Sequence, residues 1–176
     1  MFTRPPLYPI VAAFSFVTLV AALSVTPIFV SHDEPPGEAA RFWWARLAPR
    51  SYAPYALRSV RIFFVPERKD FCTSPESPLQ AWQTIATHPQ AEAIFAHLFA
   101  GARPSTRLYA LAGLARVNSR LLSIAVARAR ADTSRVLMWT DTRLKSTPER
   151  VGGLVSEQAA RAWAAALTAP GIPCAA

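Results

Sequence analysis

The residues able to do chemistry in this 176-residue chain are few: three histidines, two cysteines and 11 acidic side chains. A metal site needs His, Cys or carboxylate ligands at short, regular spacings that converge on one point. His88 and His97 stand nine residues apart on either side of a helix start, and His32 lies far upstream. No Cys or carboxylate falls at ligand spacing beside them, so no metal site is expected. His97 falls near Glu92 on the polar part of its helix. Nucleophilic catalysis has no G-x-S-x-G elbow to work from. The nearest carboxylate pairs, Asp33 with Glu34 and Glu67 with Asp70, sit in linker-like sequence, a poor setting for paired acid–base work. C-x-x-C-H is absent, which excludes covalent c-type haem, and Gly152-Gly153 alone is no phosphate loop. The expectation is a protein without catalytic residues and without a cofactor.

Cys72 and Cys174 are the only cysteines. In an oxidising compartment they form a candidate disulfide closing a loop of roughly 100 residues, stabilising by about 4–5 kcal/mol in the chain-entropy model. Two unrelated thiols remain the other reading.

What would position any such group begins with a 21-residue stretch free of charged side chains, Ile10 to Val30 (IVAAFSFVTLVAALSVTPIFV). About 20 helical residues cross a hydrocarbon core of roughly 30 Å, so this segment reads as a single transmembrane anchor. Arg4 precedes it, while His32, Asp33 and Glu34 follow it. The positive-inside bias therefore puts the amino terminus in the cytoplasm and the bulk of the chain outside, in the periplasm of a bacterial inner membrane. Ala12, Ala13, Ala21, Ala22 and Ser24 are small enough to allow close helix approach within the bilayer. Pro27 falls near the outer end. The competing reading is a cleaved signal peptide with Ala22-Leu23-Ser24 at its processing site, but apolar character continues to Val30, further than that requires.

Apart from Arg4, every charge lies beyond the anchor: 18 Lys+Arg against 11 Asp+Glu, with only Lys69 and Lys145 among the cations as lysines. Arg and Ala richness is what the codon bias of a GC-rich genome produces, which is the plain reading. As a functional signal it fits anionic lipid headgroups or an acidic partner surface; an outward-facing domain rarely meets nucleic acid. The organisation reads as residues 1–9 cytoplasmic, 10–30 anchor, 31–66 linker and aromatic segment, and 67–176 helical domain. Ser31 to Glu38 is acidic and stopped by Pro35, Pro36 and Gly37. Beyond it come Arg41, Phe42, Trp43, Trp44, Arg46, Tyr52 and Tyr55, the composition of a headgroup-layer collar. Core packing of the same aromatics is the alternative, and Val60 to Val65 reads as a buried strand or extended stretch.

From Ser77 the pattern turns helical. Ser77 caps a helix over Pro78–Ala86. A second helix runs from Pro89 to Ala100, with Ala91, Ile94, Phe95, Leu98 and Phe99 as its apolar stripe and Gly101 as its stop. A third runs from Arg103-Pro104-Ser105 to about Val117, with Leu108, Leu111, Ala112 and Ala115 inward. A fourth follows Asn118 to about Ala131. Arg135 to Thr140 has strand character, with Leu154-Val155 as a short returning strand, and Ser156 caps a last helix over Glu157–Thr168. The fold class is therefore mainly α: an anchor, then helical hairpins with at most one short β-hairpin.

The run LYALAGLARVNSRLLSIAV (Leu108 to Val126), with IFAHLFAGA before it and a Val-rich hairpin after, resembles a group of uncharacterised bacterial secreted or lipid-anchored helical proteins of HEAT-like type. Those carry a Leu-Tyr-Ala-Leu-Cys-Gly-Leu run and a later Gly-Cys. Here Ala112 stands where that Cys would be, and Trp139-Thr140 lies near the Gly-Cys position, so the family-type disulfide is not implied. The resemblance covers residues 77–155 and implies a fold without an activity. Together these readings predict a non-catalytic, single-pass accessory subunit contacting lipid headgroups and integral membrane proteins of a larger complex. By analogy that complex is an energy-transducing one, photosynthetic or respiratory. The alternative is a free-standing, membrane-anchored periplasmic binding or scaffold protein with a helical-repeat groove.

Overall fold

Ser77 and Ser156 each precede a run of good helix formers, and each side chain accepts a hydrogen bond from the backbone amide three residues on, Gln80 at 3.1 Å and Ala159 at 2.9 Å. Two of the first-turn amides that a helix leaves unpaired are thereby satisfied. The computed structural model describes residues 37–66, 72–74, 77–101, 103–140, 143–144, 148–169 and 172–173. Its helices are α1 (Glu38–Leu47), α2 (Pro49–Ser59), α3 (Pro78–Ala86), α4 (Ala91–Phe99), α5 (Pro104–Arg116), α6 (Leu122–Arg130), α7 (Val151–Leu154) and α8 (Glu157–Thr168). Short strands β1 (Ile62–Val65), β2 (Cys72–Thr73), β3 (Arg135–Thr140), β4 (Arg143–Leu144), β5 (Glu149–Arg150) and β6 (Ile172–Pro173) complete the order. The protein is mainly helical. Among the described residues no helix is long and apolar enough to cross a membrane; segment 10–30, with Ala12, Ala13, Ala21, Ala22 and Ser24, lies outside them.

Helix α5 is the centre. Every residue from Ser105 to Ala115 except Arg107 is buried, and α4, α8, α6, α3, α2 and β1 all pack on it. A helix covered on all sides carries apolar or small residues all round, which is why its amphipathic stripe is broader than the one face expected. Gly113 lets α4 approach: a methyl group there would overlap the ring of Phe95. This enclosed centre makes the helices a layered cluster and not an open array of stacked hairpins.

The strands correct the expectation of at most one short hairpin. β1 pairs with β3 in parallel, Ile62 opposite Leu137 through Val65 opposite Thr140. Parallel neighbours need a long crossover, and here α3 to α6 supply it. β4 and β5 pair antiparallel with opposite ends of β3. A second, two-residue parallel ladder sets Cys72 opposite Ile172. The returning strand expected at Leu154-Val155 is displaced to Glu149–Arg150. The amides of Val151 and Gly152 instead donate to Ser134 O and Asp132 O, which starts the one-turn helix α7.

Helix boundaries moved at two further places for visible reasons. His88 Nδ1 accepts from the Gln90 amide at 3.1 Å, holding a turn, so α4 begins at Ala91 and not at Pro89. Asn118 adopts a left-handed φ of 51°, and Ser119 Oγ accepts from the Leu121 amide. Asn tolerates that conformation better than most residues, and it postpones α6 to Leu122.

Candidate docking surfaces

The aromatic segment divides. Pro49 disfavours the helical conformation at Ala48 (φ −140°, ψ 61°), so α1 ends there and α2 restarts at a new angle. Ser51 Oγ fastens that corner, accepting from Trp44 Nε1 at 2.8 Å and donating to Ala48 O at 3.0 Å. Trp44 is thereby turned inward onto Tyr52 and Tyr55, with ring centroids 5.5 and 5.2 Å away. Tyr52 is buried and Tyr55 half-buried, so these two and Trp44 serve the domain's own packing. Trp43 points the other way and is 58% exposed, as is Leu47 at 78%. Arg46 is exposed and Arg41 half-buried, while the side chain of Phe42 lies outside the described residues.

The same segment is fastened to α5 by three side chains that sequence reasoning did not single out. Thr106 Oγ1 donates to Leu57 O at 2.7 Å, and Ser105 Oγ donates to Val60 O at 2.6 Å. The Tyr109 hydroxyl accepts from the Phe64 amide at 3.1 Å and donates to Phe64 O. These are the polar groups of an otherwise apolar helix face, and a buried polar group is retained only where it finds a partner. A Ser-Thr pair followed by Tyr inside an apolar run was the available signal. Burial pushes the Tyr109 hydroxyl far above its ordinary pKa, opposed weakly by the Phe64 backbone bond.

A second link joins α5 to the β3 approach. Arg107 Nη1 meets Asp132 Oδ2 at 3.1 Å, and Arg107 Nη2 donates to Ser134 Oγ at 3.1 Å. Asp132 Oδ1 also accepts from the Ser134 amide. The three tie the turn ahead of β3 to α5.

A second outward apolar patch lies on α6, where Ile124 is 66% exposed and Leu121, just ahead of the helix, 42% exposed. Arg120 and Arg128 stand exposed nearby. Next to it is a shallow, open depression of about 580 Å³ lined by Glu92, Ala93, Val117, Asn118, Ser119, Arg120 and Leu121. Ser119 Oγ donates to Glu92 Oε1 across it at 2.6 Å.

Among the described residues no three His, Cys, Asp or Glu side chains gather at metal-binding distance. His97 is exposed, and His88 is engaged in its turn. Cys174 and the side chain of Cys72 lie outside the described residues; the backbone of Cys72 pairs with Ile172, two residues before Cys174 in the chain. No protein-family model, curated protein or solved structure matches the chain.

Proposed function

We propose that the chain is a non-catalytic, single-pass membrane subunit that docks on and stabilises a larger bacterial membrane protein complex. The observation that carries this reading is the outward face of α6, where Ile124 and Leu121 are exposed among arginines. On an amphipathic surface helix those apolar positions would ordinarily face the core. Clustered apolar exposure rimmed by charge is the composition of a protein–protein contact. The uncharged segment 10–30 supports placement of that face beside integral membrane partners, in an assembly taken by analogy to be energy-transducing.

The test is purification of the full chain from native membranes in mild detergent through a carboxyl-terminal tag, with mass spectrometry of what stays bound. Stoichiometric recovery with a membrane assembly is expected, and Ile124→Asp should reduce that recovery at least tenfold while leaving the thermal midpoint of the chain unchanged. A lone 19.2 kDa species would sink the subunit reading in favour of a free-standing envelope protein.

A further inference from the structure

Helix α1 is apolar on two opposite sides. One side carries Ala45, 3% exposed, and the inward-turned Trp44. The other carries Trp43 and Leu47, four residues apart and so one above the other on the helix surface. Arg46 stands exposed beside them on the same helix, and Arg50 at the start of α2. A tryptophan and a leucine facing out, with an exposed arginine on the same helix and another just past the corner, is the side-chain set of a helix lying in a headgroup layer. There the indole has an apolar body and a polar tip, and Arg extends its stem along apolar surface while its charge stays with phosphate.

Two further observations select the occupant. Residues 37–66 carry Arg41, Arg46, Arg50, Arg58 and Arg61 against Glu38 as their acid, so the complementary surface is anionic. Gly37 also follows Val30, the end of the uncharged segment, by seven residues. Seven residues at full extension reach about 25 Å. A chain anchored through residues 10–30 therefore holds the start of α1 within about 25 Å of the point where it leaves the bilayer.

We infer that the face made by Trp43, Leu47 and Arg46, with Arg50 following past the corner, lies flat against the anionic lipid headgroups of the membrane that segment 10–30 crosses. The inference rests on the single-pass reading above. Trp44, Tyr52 and Tyr55 take no part, because they face the domain. The α6 patch is left for protein contact.

The full chain reconstituted in vesicles tests this directly. Vesicles of phosphatidylcholine alone, or of phosphatidylcholine and phosphatidylglycerol in equal parts, would carry bromine on the upper acyl carbons. An alkaline wash comes first, and release of the protein overturns the anchor and with it the inference. In vesicles that retain the chain, bromolipid should quench tryptophan emission more strongly when phosphatidylglycerol is present. Trp43→Phe should abolish most of that quenching, and Trp44→Phe should leave it. The double substitution Arg46→Gln with Arg50→Gln should remove the phosphatidylglycerol dependence. Retention after the wash with equal quenching of wild type and Trp43→Phe overturns the inference while sparing the anchor. In native membranes, a photo-cross-linking residue at position 47 should give lipid adducts. Adducts to another protein, to a second copy, or to the chain's own residues 10–30 would overturn it.

Discussion

Helices α1 and α8 each carry tryptophan and a run of alanine within a single short amphipathic element, yet Trp43 of α1 and Trp163 of α8 face opposite ways. In α8, Trp163 is 9% exposed and meets the Phe63 ring edge-on at 5.1 Å, while Arg161, Glu157 and Ala165 face out. In α1, Trp43 faces out with Leu47, and the opposite side is held by Ala45. α8 begins on a serine cap; α1 begins on Gly37 with no side-chain cap. The difference teaches that aromatic content does not state a side chain's destination. α8 is a helix completed by the core, whereas α1 is completed by the core on one side only.

Substitution of the two tryptophans should give the largest contrast. Trp163→Ala removes a buried ring and should cost about 3–5 kcal/mol in thermal or denaturant unfolding of the detergent-solubilised chain. Trp43→Ala should stay within about 0.5 kcal/mol, as exposed positions do. Equal costs would erase the distinction between the helices. A smaller contrast comes from glycine. Gly113→Ala drives a methyl into Phe95 and should destabilise by about 1–3 kcal/mol. Gly37→Ala, where a methyl meets nothing within 4 Å, should cost less than about 1 kcal/mol by the same assay. The smallest effect sharpens how the α1–α2 segment is held. Tyr109→Phe deletes the hydroxyl that bonds Phe64 and should cost about 1 kcal/mol at neutral pH. Its alkaline behaviour has a definite sign. In the unfolded chain the hydroxyl ionises near pH 10, whereas burial keeps it protonated in the native protein above that value. The native state then binds more protons, so stability is complete below pH 10 and falls as pH rises beyond it. Unfolding midpoints from pH 9 to 11 should show a shallower decline in Tyr109→Phe than in wild type.

Local chemistry made part of this fold legible. Ser77-Pro78 and Ser156 mark α3 and α8 to the residue because an N-cap is a contact between neighbours in sequence. The strand character of Arg135 to Thr140 was equally visible. Its partner was not, since β1 and β3 are joined by no turn whose residues declare the pairing. At the candidate surface, Trp43 and Trp44 are identical letters side by side. Their directions are decided by the corner at Ala48-Pro49 and by the bond from Trp44 to Ser51, a contact seven positions long. The α6 patch is hidden for a related reason: Leu121 shares the helical spacing of Leu122, Ala125, Val126 and Ala129 and reads as inward, yet the helix starts only at Leu122 and leaves Leu121 and Ile124 outside.

The pairing of Ile62 with Leu137 also dictates an order of events. Those positions are about 75 residues apart, so the ladder cannot close until four intervening helices have been made and gathered. Contacts of such long range are slow to form, because the chain's freedom is lost before the strands reward it. During synthesis β1 therefore emerges early and waits: Phe63 first meets Tyr109 and later Trp163, and Phe64 has no Trp139 ring beside it until β3 has left the ribosome. Shortening the chain before β3 would leave β1 unpaired, Phe64 without Trp139 and Phe63 without Trp163, and that open strand edge would be prone to aggregate.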